Sequence, residues 1–173
     1  MKRLIALGAV ILLAAGCGSK SPAAPSTNPT QVKFTAALLP ANEVPPITNA
    51  EASGNGLATV TLNLTRDAGG AITAANADFL VTMNGFPANT TVTAAHIHPA
   101  PAGQNGSALI SLGLTSGEFV LVNGLLTLTR TGITSNLDAA RAQDIINNPA
   151  NYYFNIHSTL NGGGFARGQL VKQ

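Results

Sequence analysis

The chain has a single cysteine, Cys17, among 173 residues. No disulfide can close within it, so an exported fold of this sequence must rest on its hydrophobic core alone. Charge is nearly as scarce, since Asp, Glu, Lys and Arg make up 9 % of the chain. That excludes the high-charge kind of disorder. Seven acids face nine bases, and two of the bases, Lys2 and Arg3, stand at the very start. Without that start the chain is formally neutral and has no basic patch, so nucleic acid is not an expected partner. Enzyme signatures are missing too. Ser107 in "NGSAL" lacks the setting of a nucleophile elbow. The glycines of "NGGGF" precede a strand-like run and have no lysine, so they form a loop and no phosphate site.

What is present begins with a leader. "MKRLIALGAVILLAAGC" has a basic start and then an apolar run over 4–15, too short to span a bilayer. It ends in "LLAAGC", which resembles the lipobox of bacterial lipoproteins, whose cysteine is acylated and becomes the first mature residue. The expected organisation is a signal peptide over 1–16, a lipid-bearing Cys17 with a Ser, Pro and Ala-rich tether to 31, and a folded domain over 32–173. The expected location is the bacterial cell envelope, exported and attached to a membrane through the N-terminal lipid.

Within the domain, short runs alternate apolar and polar residues: "VKFTAALL", "LATVTLNLT", "ANADFLVTM", "TVTAAHIH", "SALISLGL", "EFVLV", "LLTLT", "YYFNIHS" and "ARGQLVK". Period two puts one face of each run into a core and the other toward solvent. In the second run Ala58, Val60, Leu62 and Leu64 share one face, and Thr59, Thr61, Asn63 and Thr65 the other. "RDAGGA" and the Asn123–Gly124 pair of "VNGL" predict two hairpins. "SNLDAARAQDIINNP" predicts one short helix before the last two strands, with Ser135 as cap and Pro149 past its end. The fold class is therefore all-β, an antiparallel sandwich or barrel.

His96 and His98, two residues apart, leave the same face of a strand. A third histidine, His157, lies in "YYFNIHS", another strand-like run. Brought beside the pair it would complete a three-nitrogen set of the kind that binds zinc or copper, the only cofactors these residues suggest. Asn155 shares its parity, and Glu118 is a weaker carboxylate candidate. A structural account stays open, in which the histidines pin the turn over 99–106 to the end of a strand. Glu43 and Arg167 stand in the first and last parts of the domain. If those strands pair, an ion pair between them would tie the two ends together.

Three blocks, "ALLPANEVPP", "AAHIHPAPAGQNG" and "NPANYYFNIHSTLNGGGFARGQL", resemble in content and order the CHRD domain, named after chordin. The family-type positions are Glu43, Pro45, Pro46, His96, His98, Asn155, His157, Gly164, Arg167, Gly168 and Gln169. Where many members carry an acid before "RGQL", this chain has Phe165 and Ala166. The resemblance implies an immunoglobulin-like or superoxide-dismutase-like β-sandwich, found in many secreted bacterial proteins and, in chordin, part of an extracellular protein that binds growth factors. It implies no enzyme, and three histidines cannot complete a dismutase site. The expected function is a non-enzymatic binding or structural module with an extracellular protein as partner; the alternative is a zinc or copper protein using His96, His98 and His157.

Overall fold

The structure, a computed structural model, describes residues 30–173. The expected leader, Cys17 and the tether up to residue 29 lie outside the described residues. Ten strands form two antiparallel sheets. The first sheet runs β10 (Val171–Lys172), β1 (Gln31–Leu38), β2 (Asn55–Arg66), β3 (Ile72–Asn84) and β7 (Leu126–Ile133), in that order. The second runs β5 (Ile110–Ser111), β4 (Thr91–Pro99), β8 (Tyr152–Ser158) and β9 (Ala166–Gln169), with β6 (Phe119–Val120) also paired to β4. The chain is thus an all-β sandwich.

The alternation explains the layers. Val32, Phe34, Ala36 and Leu38 of β1 and Ala58, Val60, Leu62 and Leu64 of β2 are all buried. They face Ile97, Phe154 and Ile156 of the second sheet, which are fully buried, and Phe79 meets Phe154 across the layers at a centroid distance of 6.1 Å. Each such side chain contributes about 1.5–3 kcal/mol by leaving water. On the other side of the first sheet, Thr59 pairs with Leu80 and Thr82 with Thr127, and this threonine-rich face stays open to solvent.

One irregularity decides which residues of β4 face the core. Opposite β8, Val92 pairs with Ser158 but Ala94 with His157, so Thr93 is an extra residue in the ladder. Such a bulge moves every later side chain to the opposite face. Val92, Ala95 and Ile97 therefore point inward, and Ala94, His96 and His98 outward.

The sheets join at one corner. Leu39 and Arg167 exchange backbone hydrogen bonds at 3.1 and 3.4 Å, which brings β9 against the end of β1. Gly168 makes this approach possible, since a Cβ there would stand 2.1 Å from the Ala37 carbonyl oxygen.

Several elements differ from the expected pattern. "SALISLGL" gives only the two residues of β5, because Gly113 turns the chain with a φ of +64°. "ARGQLVK" divides between β9 in one sheet and β10 in the other. The "VNGL" turn forms, with Asn123 and Gly124 at positive φ between paired Val122 and Leu125, but it carries the chain from one sheet to the other. The helix is α1 (Ala139–Asn147), capped by Asp138, whose carboxylate accepts from the Arg141 N–H at 2.7 Å. Ser135 is not the cap: Asn136 adopts a φ of +54° and Leu137 N–H returns to Thr134 O, so a turn precedes the helix. Ala142 and Ile145 bury its inner face, and the helix packs against β3. None of the helices in the described residues is long and apolar enough to cross a membrane.

Candidate metal centre

The outward face of the second sheet is polar yet largely shut off from water. His98 pairs across the strands with Tyr153, His96 with Asn155 and Ala94 with His157. His157 is therefore a diagonal neighbour of His96, a separation that two imidazoles can span. One ring nitrogen from each of the three histidines lies within 4.8 Å of the other two. His98 and His157 are buried, and His96 is half-buried.

Two surrounding loops fix the rings. His98 Nδ1–H donates to the Gly106 carbonyl at 3.0 Å, and His157 Nδ1–H donates to the Gly162 carbonyl at 3.0 Å. A carbonyl can only accept, so both rings, when neutral, carry their lone pair on Nε2. The His157 Nε2 lone pair faces His96 Nδ1 at 3.1 Å. The His98 Nε2 is buried and has no hydrogen-bond partner among the described residues.

Burial holds all three imidazoles neutral. His96 is lowered to about 4, first by desolvation and then by the nearness of His157 and His98. Desolvation also lowers His98 and His157, against the opposing pull of the carbonyls of Gly106 and Gly162. Neutral nitrogen donors without a thiolate or carboxylate suit zinc and copper rather than calcium or magnesium. Nitrogens around a tetrahedral ion stand roughly 3.3 Å apart, given metal–nitrogen distances of ~2.0 Å.

A CHRD domain profile matches residues 34–170, almost all of the described chain. The chain belongs to the CHRD family. No curated protein and no solved structure matched it. Family membership supports a binding or structural module in general, and in this CHRD domain His96, His98, Asn155, His157 and Arg167 share one face of the second sheet.

Tyr153 stacks on His98 with centroids 4.8 Å apart and planes 5° apart, and the Arg167 guanidinium covers its other face at 4.6 Å. Arg167 donates to Asn42 O at 2.6 Å, Gln104 O at 3.2 Å and Asn105 Oδ1 at 2.8 Å. It thereby holds the loop that carries Gly106. Its Nε lies 3.8 Å from Glu43 Oε2, both side chains being almost fully buried. Glu43 Oε1 and Arg167 Nη2 have no partner. Burial raises Glu43 to about 7 and Arg167 offsets that only in part, as expected of a buried pair with imperfect geometry.

The remaining family positions shape the loops. Pro45, after a cis peptide, and Pro46 sit in the exposed segment that follows Glu43. Gln169 Nε2 donates to the carbonyls of Ala150 at 2.7 Å and Ala100 at 3.1 Å. Gly164 has a φ of +124°, and a Cβ on it would stand 2.4 Å from the Asn155 amide. Phe165 and Ala166 are fully buried, with Phe165 edge-on to Phe86 at 5.0 Å.

Glu118 is not part of the centre; it pairs with Arg130 at the surface. Sequence reasoning missed Tyr153 and Glu51. Glu51 is buried and accepts from Ser158 Oγ at 2.7 Å and from the Asn161 amide, which fixes the turn ahead of Gly162. Tyr153 carries one signal, its parity with Asn155 and His157.

Proposed function

We propose that this protein is a non-enzymatic, membrane-tethered module of the cell envelope that binds one transition-metal ion, zinc or copper, at His96, His98 and His157. One observation carries the reading. Three neutral imidazoles converge with nitrogens within 4.8 Å, and the buried His98 Nε2 has no partner among the described residues. A bound ion would satisfy that lone pair, which otherwise costs about 1–3 kcal/mol. The hydrogen bonds from Nδ1–H of His98 and of His157 to backbone carbonyls are the usual support of a metal-binding histidine.

Calorimetry of the metal-free protein with Zn²⁺ and Cu²⁺ tests it. The expected result is one ion per chain, with a higher melting temperature, and loss of both effects in the triple His→Ala variant. Binding at 100 times Kd adds about 2.7 kcal/mol to stability. Equal, weak binding by both proteins overturns the reading. The tether part rests on Lys2, Arg3, the apolar run over 4–15 and Cys17; fatty-acid labelling that persists in Cys17→Ser would refute it.

A protein partner would use the other side of the sandwich. Leu57 and Leu80 lie on the open threonine face, with Val122 and Leu125 exposed at the turn between the sheets. Introducing charge by Leu57→Glu and Leu80→Glu should abolish such an interaction without altering metal binding.

A further inference from the structure

The three nitrogens come from two adjacent strands of one sheet, and among the described residues no further His, Cys, Asp or Glu joins them, so a four-coordinate ion held there has one position left to fill. A second orphan atom stands on the same face. Asn155 is 2 % exposed, and its Oδ1 has no hydrogen-bond partner among the described residues. Across the ladder it is paired with His96, and along β8 it lies two residues before His157 on the same face. Its Nδ2 donates to the Gly163 carbonyl at 3.4 Å, and Gly164 packs so closely that a Cβ would overlap the amide. The amide is therefore pinned, with a fixed acceptor beside the three imidazoles.

An ion would satisfy His98 Nε2 but leave Asn155 Oδ1 wanting a proton donor. A ligand that arrives with the ion and carries its own proton supplies one. Resting on the metal reading above, we propose that the fourth position holds an exchangeable protic ligand, with Asn155 as its positioning residue. Water occupies it at rest, and small protonated oxyanions of the bicarbonate class compete for it. Asn155 favours them over aprotic anions of the same charge, because a carboxamide oxygen rewards a hydrogen-bond donor and repels a bare anion. Half-buried His96 marks the side from which such a ligand enters.

The full chain loaded with Co²⁺ makes the test, since the visible spectrum of cobalt reports its coordination. Bicarbonate and azide are titrated in turn into the wild type, Asn155→Leu and Asn155→Asp. Expected is a spectral change with both anions, and a preference for bicarbonate that falls about tenfold in Asn155→Leu and survives in Asn155→Asp, which keeps an acceptor. Melting curves show whether each variant is folded, and if the leucine variant is not, Asn155→Ala, which also lacks an acceptor, takes its place in the comparison. A cobalt spectrum that ignores both anions overturns the open position. The same preference in all three proteins overturns the role of Asn155. Failure to bind cobalt at all removes the metal reading itself, and with it this one.

Discussion

The two outer faces of the sandwich are built from strands of similar alternation and end in opposite conditions. On the first sheet the outward residues are mainly threonines, with Leu57 and Leu80 among them, open to water. On the second they are His96, His98, Tyr153, Asn155, His157 and Arg167, and of these only His96 escapes full burial. Loops make the difference. The segments over 40–53, 100–107 and 159–164 contribute the carbonyls of Asn42, Gln104, Gly106, Gly162 and Gly163 to that face. A polar face under loops has low dielectric and strict hydrogen-bond demands, and it is there that four buried atoms go without partners: Glu43 Oε1, His98 Nε2, Asn155 Oδ1 and Arg167 Nη2. An exposed hydroxyl face bears no such demand.

Substitutions can sharpen that contrast. The largest effect is expected from Arg167→Ala, which strips three hydrogen bonds from the covering loops and leaves Glu43 buried without its partner. Urea unfolding should show a loss of about 3–5 kcal/mol. Gly168→Ala should cost about 3 kcal/mol or more, because its Cβ would overlap the Ala37 carbonyl in a corner where two backbones meet.

Next comes pH. The folded protein keeps His96 neutral down to about 4 and also lowers His98 and His157, so below ~6.5 the unfolded chain binds more protons. The metal-free protein should therefore gain stability as pH rises from 4 to 6.5. Glu43 works the other way. Its folded value near 7 lies above the ordinary 4.5 of a glutamate, so it takes stability away as pH rises from 4.5 through 7. Glu43→Gln should then raise stability at pH 8 by roughly 1–3 kcal/mol and leave it almost unchanged at pH 4. Thermal melts at the two values check the sign.

The smallest effect belongs to the open face. Thr59→Ala and Thr129→Ala should each change stability by no more than about 0.5 kcal/mol. A larger loss at either site would mean that the two faces are less different than their burial indicates.

Much of this architecture could be read from alternation, since Ala58 to Leu64 do form one buried row. The failures share a cause. Strand alternation says nothing of where a chain leaves one sheet for the other, so "ARGQLVK" reads as one strand although Leu170 divides it between two. At the centre, the spacing of His96 and His98 was visible, and the place of His157 beside them follows from register. The stacked Tyr153, the buried Glu51 and the orphan Asn155 oxygen were not legible, because loops distant in sequence create their surroundings: Ser158 reaches Glu51 across 107 positions and Arg167 reaches Asn42 across 125.

Thr93 is left out of the ladder opposite β8, and the outward aim of the histidine face depends on that. Had the strand kept strict alternation through Thr93 instead of bulging there, His96 and His98 would turn toward Phe154 and Ile97 would take the outside, whereas a chain without Thr93 alternates straight from Val92 and leaves both histidines outward. The outward aim of the site is thus set by one irregularity of the ladder, and the residue that bulges is one the strand could lose without turning its histidines inward.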